Sequence, residues 1–181
     1  MNNSTKRILA MTLKKMMSRY SFDSITVQHL VNEAGVSRKT FYYHFRDIFD
    51  LLEWTFREDV REFIETSYQP DQIELALQGF LTYLKENRSL ILNAYHALPR
   101  ELIERHFLDI ILPSLKHFYK DSREYQALSE AEQTFVLNMY GFGLSGIILK
   151  WIGEGMNQNS EELVRFIMHF FEHNSFGMTR S

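Results

Sequence analysis

Seven residues in eight positions, Ser37, Arg38, Lys39, Thr40, Tyr42, Tyr43 and His44, concentrate cations, hydroxyls and aromatic rings in one short stretch. Such side chains donate hydrogen bonds to phosphate and base-edge oxygens, and their rings pack on a groove wall. An arginine or lysine facing guanine O6 and N7 is the commonest specific pairing in DNA recognition. The chemistry this stretch suggests is therefore nucleic-acid recognition.

Other spacings invite catalysis and are weaker. Gly141-Phe142-Gly143-Leu144-Ser145-Gly146 fits G-x-G-x-x-G. A dinucleotide site would need Val136–Tyr140 as a strand, Glu161 or Glu162 on the ribose, and a helix of reasonable length after the glycines. Gly153 and Gly155 cut that helix short, so the simpler reading is a helix whose Gly141 and Ser145 let a neighbour approach closely. His169-Phe170-Phe171-Glu172-His173 fits H-x-x-E-H. Histidines four apart share a helix face and can bind zinc, with the glutamate as base. A third ligand is missing: residues 174–181 contain no acid, His or Cys. His96, His106 and His117 are too far apart for a local site. Glu58, Asp59, Glu62 and Glu65 read as a solvated helix face. No serine lies in a nucleophile-elbow context. No enzymatic activity, cofactor or metal is expected, and a zinc hydrolase using His169 and His173 is the distant alternative.

The elements that position the recognition stretch read as helices. In 181 residues there are 8 Gly, 3 Pro and no Cys, which favours long helices and excludes disulfide and thiolate sites. Hydrophobic residues are 45%, enough for a packed core. Ile8/Leu9, Leu13, Met16/Met17 and Tyr20 fall on one face of a first helix, with Lys6, Lys14, Lys15 and Arg19 on the other. Thr26 caps a second helix, Val27 to Ala34, and Gly35 is placed as its left-handed stop. Ser37 caps a third helix, and Asp47 a fourth that runs to about Ser67. Gln69-Pro70-Asp71 marks a break. Further helices are expected at about 71–86, 88–97, 100–120, 130–154 and 160–173, with Pro113 kinking or splitting the third of these. The fold class is all-α, with about nine helices. The longest apolar run, Met139 to Leu149, is shorter than the ~20 residues of a span, and the first residues do not form a signal peptide. A cytoplasmic location with no membrane partner is expected.

Charge divides unevenly. Residues 1–46 carry eight Lys/Arg against two Asp/Glu, a net of +6; residues 47–181 carry twelve against twenty-one, a net of −9. A basic quarter on an acidic remainder fits a nucleic-acid surface joined to a body with another task.

Two short helices joined by a turn containing Gly35 form a helix-turn-helix. The segment resembles that of the TetR family of bacterial transcription regulators. The resemblance rests on Ile25-Thr26-Val27, Ala34-Gly35-Val36-Ser37, Thr40-Phe41-Tyr42-Tyr43-His44-Phe45 and Leu51-Leu52. The region from Gly141 through Lys150-Trp151 is more loosely similar to the C-terminal part of one branch. The resemblance implies a DNA-binding domain at 1–48, its motif at about 26–45, and a helical regulatory and dimerisation domain at 49–181. It implies that Thr26 meets a phosphate, that Ser37, Arg38, Lys39 and Thr40 approach base edges or flanking phosphates, that Tyr42 and His44 touch the backbone, and that Tyr43 packs in the groove. Family members often have Gly at the position of Ser21, Ala at that of Val31 and Lys at that of Ile48. The first difference is expected to strain the loop slightly, and Arg46 is the candidate to take over the contact of the missing lysine.

The two last helices carry excess apolar surface, which suits self-association as a four-helix interface. Tyr140, Leu144, Ile148, Trp151, Phe166 and Phe170 are its candidates. A homodimer would set two recognition helices on a pseudo-palindromic double-stranded operator. The family implies an effector pocket in the middle helices, where Tyr83, Tyr95, His96, Phe107 and Phe118 are candidates; the effector is a small molecule or a regulatory protein. Repression is the usual outcome in the family. A helical protein-interaction adaptor is the alternative of a different class.

Overall fold

The computed structural model of the chain describes residues 2–67 and 72–174, and no strand occurs among them. The order is α1 (Asn2–Met17), a 3-10 turn (Phe22–Ser24), α2 (Val27–Ala34), α3 (Arg38–His44), α4 (Ile48–Ser67), α5 (Ile73–Glu86), α6 (Arg88–Ala97), α7 (Arg100–Phe118), α8 (Arg123–Gln126), α9 (Glu130–Gly153) and α10 (Ser160–Asn174). The all-α expectation is met. The 3-10 turn and the four-residue α8 are additions, too short to show a period. The expected break at Gln69-Pro70-Asp71 and the side chain of Glu65 lie outside the described residues.

The helices pack into two compact units. The first unit runs to Glu62 and takes in Asn87–Ile103; the second holds Phe63–Glu86 and the chain from Glu104 onward. In the first unit α6 is fastened to the N-terminal helices by side-chain hydrogen bonds. The Phe22 N–H donates to Asn93 Oδ1 at 2.8 Å, and the Ser89 hydroxyl donates to the Met17 carbonyl. Leu9, Leu13, Met16 and Met17 of α1 are buried with Leu30, Val31 and Phe41, the inward face expected of the helix-turn-helix. Ile8 and Tyr20, expected on that buried face of α1, are about half exposed. Ser21 adopts φ −67° and ψ 146°, ordinary extended backbone, so it does not bring the strain expected in place of glycine.

In the second unit α10 packs on α5. Phe80 meets the ring of Phe63 at 5.5 Å and, edge-on, that of Phe107 at 5.6 Å. Pro113 lies inside α7, which continues through it as one element. A proline removes one backbone bond, but Ile110, Ile111 and Leu115 on either side are buried, and their packing holds the helix on course. Ser129 and Glu132 form a complete capping box at the start of α9, and the hydrogen bonds from Ser129 hold the Glu132 carboxyl below the usual carboxylate range. By length and composition α9 is apolar enough to cross a membrane, although its longest unbroken apolar run is short. Its Tyr140, Ser145, Ile148, Leu149, Trp151 and Ile152 are buried within the unit, as in the core helix of a folded domain. The Gly141–Gly146 stretch is helical throughout, as is Val136–Tyr140, so the strand that a dinucleotide fingerprint needs is not there. A Cβ at Gly141 would lie 2.6 Å from Leu112 Cδ2; the close neighbour is a side chain of α7, while Gly143 and Gly146 face open space.

Candidate nucleic-acid interface

The recognition helix is fixed by its caps. Thr26 Oγ1 accepts the His29 N–H at 3.2 Å and opens α2. Gly35 closes it at φ 66° and ψ 28°, a left-handed conformation that a Cβ would strain. Two residues later Ser37 Oγ accepts the Thr40 N–H at 3.0 Å and lies 2.8 Å from Thr40 Oγ1. Tight turn and immediate restart are thus written into three small residues.

Phe41 is fully buried and Phe45 nearly so, which turns the opposite side of α3 outward. Arg38, Lys39, Tyr42 and Tyr43 are exposed there, and at 100° per residue they span an arc of roughly 140°. Tyr43 is 76% exposed and Tyr42 50%, high values for large rings without a partner surface. Thr40 and His44 lie at the rim, half-buried, the His44 ring 4.9 Å from that of Tyr43. Arg38 folds back along the helix: Nη2 donates to the Tyr42 hydroxyl at 3.4 Å, and the guanidinium carbon lies 5.8 Å from the ring centroid. This i, i+4 pairing was available from the spacing alone.

Arg46 sits in the link to α4. Its backbone N–H donates to Asp50 Oδ2 at 2.9 Å, while its side chain is 84% exposed and its Nε lies 3.6 Å from the same carboxylate. Ile48, where the resemblance places lysine, is half-buried. The basic face of α1 is less free than its composition suggests. The Lys6 ammonium lies 5.5 Å above the Phe45 ring and 5.7 Å from that of Trp54, and Lys14 pairs with Asp59 of α4. Arg7, Lys15 and Arg19 remain exposed.

The other candidate residues fall in several places. Tyr95 and His96 belong to the first unit, and Tyr83, Phe107 and Phe118 to the second. None of the five lines the apolar cavity of about 60 Å³ that the second unit holds; Phe63, Ala76, Phe80, Ile111, Leu115, Leu144, Ile148, Met168 and Phe171 do. Tyr83 borders a separate, open hollow with Leu75, Gln78 and Thr82. Ser114 is the one hydrogen-bonding side chain among the described cavity residues, and its hydroxyl already donates to the Ile110 carbonyl at 2.6 Å. Of the expected interface residues, Phe166 and Phe170 are exposed. Tyr140, Ile148 and Trp151 are buried inside the chain itself, and Leu144 turns to the cavity. Phe135, Met139, Phe142 and Ile147 are the large apolar residues exposed on α9. His169 is exposed on α10, and the side chains of Glu172 and His173 lie outside the described residues.

An all-helical chain with a capped helix-turn-helix and a cationic, aromatic outer face has the makings of a DNA-binding protein, and the comparisons agree. Residues 12–53 match the bacterial regulatory proteins of the tetR family, and residues 71–173 match a transcriptional regulator C-terminal region. The chain belongs to the TetR family of DNA-binding transcription regulators. It is 35% identical over 86 residues to the HTH-type dhaKLM operon transcriptional activator DhaS of Lactococcus lactis subsp. lactis, a match spanning 46% of this chain and 45% of that protein. Two solved structures share the fold. The dihydroxyacetone kinase operon activator DhaS superposes with a TM-score of 0.70 at 24% identity, over 92% of this chain and 93% of that one. The fatty acid degradation regulator FadR from Bacillus halodurans gives 0.63 at 14% identity, over 93% and 98%.

Proposed function

We propose that the protein binds a pseudo-palindromic operator as a homodimer in the bacterial cytoplasm and adjusts transcription in response to an effector. The observation that carries this reading is the outer face of α3, where Arg38 and Lys39 stand exposed beside Tyr42 and Tyr43 with no competing acid on the helix. Arg38 reads base edges, Tyr43 packs in the major groove, and Thr26, Lys39, His44 and Arg46 meet phosphates. The Thr26 and Ser37 hydroxyl oxygens serve as cap acceptors, and Thr26 keeps its own proton to donate to a phosphate.

Self-association is supported by Phe135, Met139, Phe142 and Ile147 of α9 and by Phe166 and Phe170 of α10, all 40% or more exposed. Two stripes of large apolar side chains left open to water mark a surface that a second copy covers. The effector acts on the second unit. Its cavity is smaller than the ~300–1,000 Å³ of a drug-sized site, so a small molecule must displace flexible side chains such as Met168, and its lining favours an uncharged apolar group. A regulatory protein is the other effector class. No catalytic role is proposed.

Repression is the proposed direction. Deleting the gene and measuring transcription beside the operator tests it: a rise supports repression, and a fall shows activation, the role named for the DhaS relative. Operator recognition is tested by electrophoretic and anisotropy titrations with fragments selected from host DNA. Arg38→Ala and Lys39→Ala should weaken binding while preserving helicity. Equal affinity of all three proteins for a selected and a scrambled fragment contradicts the reading.

A further inference from the structure

We propose that the outer face of α5 carries a binding site for a small organic ammonium ion with an apolar substituent. The site stands apart from operator reading on α3 and from the closed apolar cavity of the second unit. Leu75, Gly79, Tyr83 and Glu86 follow one another at helical spacing and border an open hollow of about 420 Å³, within the range of small-molecule sites. Gly79 lies mid-way along α5, where glycine is less stable than alanine. Neither conformation nor packing calls for it. Its φ is not positive, and a Cβ there would meet only Phe63 Cζ, at an ordinary 3.9 Å. What the missing Cβ leaves is open space beside the Phe63 ring.

Rings and a carboxylate give the hollow its chemistry. Phe63 and Tyr83 lie 5.1 Å apart at 35°. Glu86 stands one turn beyond Tyr83 and is the one charged side chain among the described residues that line the hollow. The Glu86 carboxylate and the Gln78 amide make no hydrogen bond or ion pair among the described residues. Thr12, Thr55 and Thr134 return their hydroxyls to the carbonyl four residues back, and Thr82 does not. An ammonium ion is drawn to ring faces by their quadrupole and to a carboxylate by charge. Its N–H groups donate to the oxygens of Gln78 and Thr82, and half-exposed Leu75 covers the substituent. An anion meets Glu86 and a segment, residues 47–181, of net charge −9.

The experiment titrates the full chain near neutral pH with benzylammonium, benzyl alcohol and benzoate, a cation and its neutral and anionic counterparts, by calorimetry and amide-shift NMR. Benzylammonium should bind saturably at about 1 mM or below and shift the amides of Gly79, Thr82 and Tyr83. The alcohol and benzoate should bind at least about tenfold more weakly. Glu86→Gln, at an exposed position, should weaken the cation about fivefold and leave the alcohol unchanged. Tyr83→Leu should weaken the cation about threefold, and Tyr83→Phe, which keeps the ring, should not. Gly79→Leu should fill the hollow and abolish binding while raising the melting temperature, because the helix gains propensity where it loses the site. Gly79→Ala, which adds only the Cβ that Phe63 accepts, repeats the comparison with a smaller loss should circular dichroism show Gly79→Leu unfolded. No saturable binding of the cation, equal binding of the three probes, or amide shifts gathered at Ile111 and Leu115 of the closed cavity overturns the proposal. Unchanged cation affinity in Glu86→Gln also overturns it.

Discussion

Lys14 and Lys39 carry the same charge and have different neighbours. Lys14 is paired with Asp59, whose side chain is 13% exposed, whereas Lys39 is open to solvent on α3. Each phosphate contact contributes about one unit to the salt dependence of binding. Lys39→Ala should therefore flatten the log K against log salt slope by about one unit. Lys14→Ala should leave the slope unchanged and lower the melting temperature of the free protein. Salt titrations of both variants check this, and a flattened slope in Lys14→Ala would mean that the ion pair opens on DNA. Gly35 is a second case in which one atom decides. Its φ is 66° with nothing within 4 Å of where a Cβ would stand, so Gly35→Ala meets backbone strain and no clash. The expected cost in chemical denaturation is about 1–2 kcal/mol, with Gly35→Asn less destabilising because asparagine tolerates the left-handed region.

At the scale of elements, α3 is only seven residues long and is stabilised by packing. Phe41 is fully buried, and Phe41→Ala should destabilise the fold by about 3–5 kcal/mol, with operator binding lost in proportion; intact binding would show that α3 is held by other means. The second unit contains a tyrosine cluster in which Tyr119 stacks on Tyr125 at 5.5 Å and 22° and approaches Tyr140 at 6.1 Å. Burial, followed by the neighbouring Tyr140 and Tyr125, pushes the Tyr119 phenol well above its ordinary range, and burial also raises Tyr125 and Tyr140. The raised groups favour the neutral form in the folded state. Their contribution is complete below the unfolded value near 10 and is lost as pH rises beyond it. Tyrosinate absorbance should therefore appear together with loss of helicity in alkali, and Tyr119→Phe should move that transition to higher pH. The helix-turn-helix was legible because its signals are local: Thr26, Gly35 and Ser37 each set a cap without help from distant residues. Pro113 and α8 were not, because the first is overruled by the packing of its neighbours and the second is one turn long. The cavity was hidden as well, since Ile110, Ile111, Leu115 and Ile148 have the same types as any core.

For the whole molecule, the uneven charge and the exposed apolar stripes make one account. The basic segment holds the recognition face, although Lys6 and Lys14 are occupied internally. The open side of α9 was not legible, since the helix is apolar nearly all round and its sequence does not say which side the chain itself covers. The structure buries Tyr140, Ile148 and Trp151 and leaves Phe135, Met139 and Phe142 outside. Phe142→Asp combined with Phe166→Asp should give a folded monomer in sedimentation with much weaker operator binding; a persistent dimer would place the interface elsewhere. The face of α3 is proposed to read a DNA sequence. Its most direct measurement is the affinity of wild-type and Arg38→Ala proteins for a fragment selected from host DNA and for a scrambled fragment, at one salt concentration. Wild type should prefer the selected fragment by about a thousandfold or more, and Arg38→Ala should lose at least an order of magnitude of that preference. Equal binding of both fragments by the wild-type protein would contradict it.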